Sequence, residues 1–249
     1  CALPICSTGG RPTLINRMEK LICLLWAPEG VERQGFNTAL LEQLRPALMA
    51  AGATAIRLNL EDEISAAGAH LRQSRGARQH DALIQFRVPS DDQAADQISR
   101  ALSTHCAQWH GWTVAETVVI ANSAHPATAG QRTPGWAQTA FLTLPDRLTH
   151  DQWRHLWQEQ HTPVAVETQA NFEYVQNLVL RPLTKDAPPY VAIVEECFPE
   201  AALTDPLVFF DAPGNPAKFK ANLDRMMQSC DRFIVRGTID VIPTGQYNC

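Results

Sequence analysis

A chain of 249 residues, 45% hydrophobic and 19% charged with a formal net charge of −5, suits one large domain or two of about 110 to 120 residues, enough to bury a core. The acidic balance argues against a nucleic-acid partner, which needs a concentrated basic face to release phosphate counterions. No apolar run approaches the roughly 18 to 20 residues of a membrane-spanning helix.

Residues 1–17 are polar and glycine-containing, read as an N-terminal extension, and precede Met18-Glu19-Lys20, a plausible translation start. A first unit, 18–121, begins with a strand from Leu21 to Ala27. Phe36, Leu40, Leu41, Leu44 and Leu48 then recur at three- and four-residue spacing, so 31–51 reads as an amphipathic helix that Gly52 ends. Strands are predicted at Thr54 to Leu60 and Ala82 to Val88, and the Arg72, Arg75, Arg78 run between them reads as a solvated loop. A helix from Asp91 to about Trp109 opens on Ser90 as N-cap with Asp91 and Asp92 in its first turn. A strand from Thr113 to Ala121 closes the unit.

The proline- and glycine-bearing segment 122–135 is a linker. In a second unit, 136–249, the expected elements are a strand from Ala137 to Leu144, a helix from Asp151 to Thr168 capped by Thr149, and strands from Tyr174 to Leu180 and Tyr190 to Cys197. A helix from Ala217 to Cys230 and a strand from Phe233 to Ile242 complete it. The order βαββαβ thus occurs twice, an α+β fold of two tandem ferredoxin-like units. Their strands carry apolar residues on both faces, so the two sheets are expected to pack face to face within one chain.

The duplication is legible residue by residue. Leu25, Pro28, Glu42, Gln43 and Pro46 recur 117 positions later as Leu142, Pro145, Glu159, Gln160 and Pro163, with Trp153 matching Phe36. Within that frame an apolar Leu44 stands where the second copy has His161. Trp153, Trp157, His161 and Val164 share one helix face, the apolar one that must meet the sheet. His161 is therefore expected to project inward at the rim of an apolar cavity, beside the bend that Pro163 imposes. If buried and unpaired it would stay neutral and able to act as a general base, whereas a core histidine hydrogen-bonded to a carbonyl or to Tyr174 is the plainer alternative.

The other candidates are weighed the same way. Tyr174 and Asn177, three apart on a strand, face opposite sides of the sheet, and Tyr174 is the one expected to reach the cavity. Period two pairs Glu195 with Cys197 and Glu196 with Phe198, so one of the two carboxylates points inward. Trp153 and Trp157 suit stacking on an aromatic ligand, or simply the core. His150, His155 and His161 do not share a helix face, so no metal site is expected. The seven cysteines form no Cys-x-x-Cys pair, which indicates neither zinc nor disulfides and suits a reducing cytoplasm. No glycine-rich nucleotide loop appears.

The run Leu148-Thr-His-Asp-Gln-Trp153-Arg-His-Leu-Trp157-Gln-Glu-Gln-His161-Thr-Pro163, followed by Tyr174-Val-Gln-Asn177, resembles the EthD domain of the dimeric α/β-barrel superfamily. The resemblance covers about 136–243, and the first unit shares it only through the repeat. It implies an intrachain version of the dimeric α/β barrel holding a small apolar, often aromatic compound. The superfamily spans cofactor-free monooxygenases, isomerases, decarboxylases, dehydratases and haem proteins. The expected function is a cofactor-independent enzyme acting on a small hydrophobic, cyclic or aromatic metabolite. His161 would move the proton with Tyr174 and Glu195 as catalytic partners, and Trp153, Trp157, Asn177, Glu196 and Phe198 would line the site. A non-catalytic carrier or sensor, or a haem protein with His161 as ligand, is the alternative. No nucleic acid or membrane is expected as partner, and association of two chains is left open.

Overall fold

The computed structural model describes residues 18–249 apart from 77 and 127, so the expected extension 1–17 lies outside the described residues. The elements are β1 (Met18–Trp26), α1 (33–50), β2 (Thr54–Leu60), β3 (Ala82–Pro89), α2 (Asp92–His105), β4 (Gln108–Ile120), β5 (Gln131–Arg132) and β6 (Trp136–Thr143). They continue as α3 (150–168), β7 (Glu173–Pro182), β8 (Tyr190–Phe198), α4 (Pro216–Phe233) and β9 (Asp240–Asn248). Neighbouring strands run antiparallel in the order β2-β3-β1-β4-β7-β8-β6-β9, and β9 pairs again with β2. Eight strands therefore close into a barrel, with the short β5 added on β9.

Two sheets stacked face to face were expected. Instead they also join edge to edge, at β4–β7 and at β2–β9, so the facing surfaces become the barrel interior. Closure removes the unpaired edges that an open sandwich would leave. Helices cover the outside. Leu21, Cys23, Ile84 and Phe86 pack with Phe36, Leu40, Leu44 and Ile98, and Tyr174, Ala192 and Val194 pack with Trp153, Trp157 and Phe233. Ile22, Leu24, Leu83, Trp112, Phe141, Ile193 and Ile242 form a separate cluster inside the barrel.

Three expectations are corrected. The second helix ends at His105, not near Trp109, because Cys106 is already extended (φ −126°, ψ 144°) and Gln108 pairs with Trp26 in the sheet. Asp91 rather than Ser90 caps it, its Oδ1 accepting from the Ala94 amide at 2.8 Å. The last strand does not start at Phe233, which ends α4; it starts at Asp240 beyond a turn at Gly237 (φ +80°) and runs through Pro243 and Gly245. Those two residues look like turn formers, but β9 changes partner between them, pairing with β6 up to Thr244 and with β2 from Gly245.

Both α1 and α3 contain a wide π-helical stretch, Leu40–Leu44 and His155–His161, each just ahead of a proline, Pro46 or Pro163. A proline without an N–H leaves a carbonyl of the preceding turn unpaired, and a wider turn re-pairs the backbone around it.

Where the chain enters β6, Gly135 has φ +86° and a Cβ there would lie 2.1 Å from the Phe198 carbonyl oxygen. Gly135→Ala is expected to lower stability by more than about 1 kcal/mol. Gly214→Ala, with φ +69° but open space around it, should cost less; denaturant midpoints of the two variants check the order.

Candidate functional site

The sheet separates the residues that the sequence groups together. On the helix-facing side His161 is buried between α3 and α4, its Nδ1 2.9 Å from Ser229 Oγ and its ring centroid 4.7 Å from that of Phe233. Burial, and then the Arg232 charge, lower its pKa to about 4, so the imidazole is neutral. Trp153 and Trp157 are core residues with ring centroids 5.0 Å apart, and the Trp153 indole N–H donates to the Phe233 carbonyl at 3.2 Å. The Tyr174 hydroxyl accepts from Gln176 Nε2 at 2.9 Å, and burial pushes the phenol up. Phe198 stacks against Trp136 and Phe209, at 5.2 and 4.6 Å, in a three-ring cluster.

Of the paired carboxylates, Glu196 faces this helix side. Its carboxylate accepts from Asn171 Nδ2 at 2.9 Å and Gln138 Nε2 at 3.2 Å, and burial raises its pKa to about 7. A haem does not fit beside His161: the ring is pressed on Phe233, one nitrogen is held by Ser229, and the residue lines neither mouth of the barrel. His155 is on the surface, paired with Glu159 at 3.0 Å. Among the described residues no group of three or more His, Cys, Asp or Glu side chains could hold a metal ion, and no helix is long and apolar enough to cross a membrane.

Glu195 points the other way, into the barrel, and is 2% exposed. Its Oε1 accepts from Asn59 Nδ2 at 2.7 Å and Gln246 Nε2 at 2.8 Å, and its Oε2 from Gln85 Nε2 at 2.8 Å and Arg57 Nη1 at 3.1 Å. Burial alone would raise this carboxyl; the Arg57 charge and the amide donors overcome it and hold the pKa down, at about 2. With four donors and so low a pKa, Glu195 serves as a fixed charge and not as a proton acceptor. Asn177 also faces the interior, its Nδ2 donating to the Ile193 carbonyl at 3.2 Å.

Two cavities open at the barrel's ends. One, about 470 Å³, is lined by Lys20, Arg57, Gln85, Arg87, Glu116, Glu173 and Asn248. Its charges are paired among themselves: Glu116 takes both Lys20 and Arg87, and Glu173 takes Arg57 at 2.8 Å.

The other cavity, about 320 Å³, is lined by Leu24, Trp26, Arg75, Arg78, Gln79, His80, Gln108, His110, Pro188, Tyr190 and Asp240. Trp26 stands edge-on to both His80 and His110, at 6.1 and 5.3 Å. Tyr190 packs on Trp112 and Phe141 at 5.6 and 5.2 Å and donates its hydroxyl to Asp240 Oδ2 at 2.7 Å. Asp240 Oδ1 takes Gln79 Nε2 at 2.8 Å and the Arg75 amide at 3.3 Å. Gln108 Nε2 donates to His110 Nε2 at 2.9 Å, which leaves the His110 proton on Nδ1, 3.0 Å from Thr184 Oγ1. His80 is buried with no hydrogen-bond partner at Nε2; burial, and then Arg72, lower its pKa to about 3. Burial also lowers His110. Both imidazoles are neutral at physiological pH.

Of these cavity residues the sequence drew attention to Arg75 and Arg78 alone, and read them as part of a solvated loop. Tyr190 read as the first residue of an apolar strand, His110 lay at a helix–strand boundary drawn too late, and His80 preceded a strand without any motif. The available signal was an aromatic and histidine-rich strand start, Trp109-His110-Gly111-Trp112.

Glu196 generates a pH prediction. Folding raises its pKa from the ordinary carboxylate value of 4.5 to about 7, so its proton stabilises the fold fully below 4.5. That contribution is lost as pH rises through 7, to the extent of roughly 3 kcal/mol. Denaturation of the wild type and Glu196→Gln between pH 5 and 8 is expected to show the fall only in the wild type.

No curated protein matches the chain. Among solved structures, an anthrone oxidase-like protein is similar with a TM-score of 0.49 at 11% identity, covering 94% of this chain and 93% of its own. A candidate monooxygenase from Lactobacillus acidophilus NCFM gives 0.47 at 10% identity, covering 92% and 93%. A dye-decolorizing peroxidase from Bacteroides thetaiotaomicron gives 0.43 at 8%, covering 91% and 93%. The family model of the EthD domain matches residues 145–228, from the turn before α3 into α4. The likeness to the EthD domain thus lies in the second half of the chain, over residues 145–228.

Proposed function

We propose that the chain, read as two tandem ferredoxin-like units over 18–121 and 136–249, is a cofactor-independent enzyme. It moves a proton on a small hydrophobic, cyclic or aromatic metabolite, in the cavity lined by His80, His110 and Tyr190. One observation carries the reading: a ligand-sized cavity with aromatic walls holds two buried imidazoles that burial keeps unprotonated. The role expected of His161 passes to His80, because the His161 Nδ1 is engaged by Ser229 away from either mouth. Its EthD-side companions Trp153, Trp157, Glu196 and Phe198 are proposed as core and not as a substrate lining.

His80 accepts a proton from an acidic C–H or O–H of the substrate and returns it at another atom, as an isomerisation or elimination requires. Such a shift passes no electrons out of the substrate and asks for no redox partner. Negative charge developing on the substrate would raise the His80 pKa from about 3 toward 7 just when it must hold the proton. The free thiols Cys23, Cys106 and Cys197 support a reducing, cytoplasmic setting.

The test is deuterium uptake by 2-tetralone, an enolisable bicyclic ketone, followed by NMR in D₂O. The wild type should speed the exchange, His80→Gln should lose about 10²- to 10⁴-fold of that rate, and His161→Gln should keep it. Ligand binding without any acceleration by the wild type would replace the enzyme with a carrier, and loss confined to His161→Gln would return the chemistry to the helix side.

A further inference from the structure

We infer that Lys20, at the barrel end away from His80, condenses with a small apolar aldehyde or ketone and holds it as an imine. The chain has lysines at 20, 185, 218 and 220. Lys185, Lys218 and Lys220 are exposed, whereas the Lys20 side chain is only 7% exposed. It projects inward because it shares the strand phase of Ile22 and Leu24, which belong to the interior cluster. There it lines the cavity of about 470 Å³ together with Val118, Ala121 and Val175, room for a ring or short chain whose carbonyl meets the amine.

An amine attacks a carbonyl only when unprotonated, and at pH 7 an ordinary lysine is unprotonated in about 4 of 10,000 copies. Three features of this mouth favour the neutral amine. The strand register sets Lys20 directly opposite Arg87 on β3, a like charge. Burial pulls its pKa below the ordinary lysine value, opposed by Glu116 and Glu195 and aided by Arg57. The third concerns Glu116, which a discharged Lys20 does not strand, because its other oxygen keeps Arg87 at 2.7 Å. A charge left without any partner is what makes breaking a buried ion pair so costly.

The step balances without a redox partner. The lysine nitrogen forms a bond to the carbonyl carbon, and the carbonyl oxygen leaves as water with two of the three ammonium protons. The third proton stays on nitrogen, giving an iminium. Glu116, hydrogen-bonded to Lys20, is placed to carry protons from nitrogen to oxygen. The iminium again sets a cation beside that carboxylate, so the ion pair is present before and after the condensation.

The experiment is reductive trapping on the full chain with benzaldehyde and sodium cyanoborohydride at pH 7, read by peptide mass mapping. A benzyl group is expected on Lys20 at least tenfold faster than on Lys185, Lys218 or Lys220, the exposed controls within the same chain. In Lys20→Arg, which keeps a cation beside Glu116, the fast site should vanish while the other three lysines keep their rates. A smaller preference for Lys20, or slower labelling there than at the exposed lysines, overturns the inference, as does a fast lysine site that survives in Lys20→Arg. Because this site lies apart from the His80 mouth, either result leaves the proton-transfer reading to its own test.

Discussion

A carboxylate taken wholly out of water organises this barrel. Glu195 is contributed by the second half, while three of its four donors, Arg57, Asn59 and Gln85, come from the first. A buried charge of this kind is tolerable only when its lone pairs are filled, and removing one partner of such a pair typically costs 3 to 5 kcal/mol, far more than the pair itself contributes. The two halves can therefore adopt one relative register: a slip by one residue at β2–β9 would turn Arg57 and Asn59 outward and leave Glu195 bare. The bulge in β2 between Thr54 and Arg57, with Ala55 at φ +49°, belongs to this arrangement because it sets the inward phase of Arg57 and Asn59.

The two halves of the chain fill the layer beneath their first helices differently. Leu44 is fully buried beneath α1 among aliphatic neighbours, and its counterpart His161 is buried beneath α3 beside Phe233. The imidazole is admitted there because Ser229, on α4, supplies a hydroxyl at 2.9 Å. The polar ring thus takes the place of an aliphatic side chain where a neighbouring hydroxyl is at hand. Within the barrel the two ends also differ: charges cancel in pairs around Lys20, Arg57 and Glu116, while around Tyr190 the polar groups are hydrogen-bonded to one another among rings.

The strand and helix order was legible because it rests on local periodicity. Strand β2 was drawn residue for residue, and Thr149 does cap α3, accepting from the Gln152 amide at 3.2 Å. What could not be read was anything that depends on closure. Asn59, Gln85 and Gln246 sit at alternate positions of otherwise apolar strands, which in an open sheet marks a solvent face; only in a closed barrel do such side chains become core. The same holds for Pro243 and Gly245, turn formers by composition that become strand residues because β9 changes partner between them. Grouping Tyr174 with Glu195 failed for a related reason, since periodicity tells which residues share a face but not which face holds the cavity.

The seam between β2 and β9 joins residues as far apart in sequence as Arg57 and Asn248, 191 positions. Closing so long a loop carries a large entropic penalty that is recovered only when most of the intervening chain is already ordered. During synthesis, β2 must then wait with an open edge until nearly the whole chain has been made, and its inward Arg57 and Asn59 have no carboxylate to meet. Polar groups along that edge keep it wetted and unattractive to other strands in the interval. The side chains that lock the finished barrel would thus also guard its unfinished form.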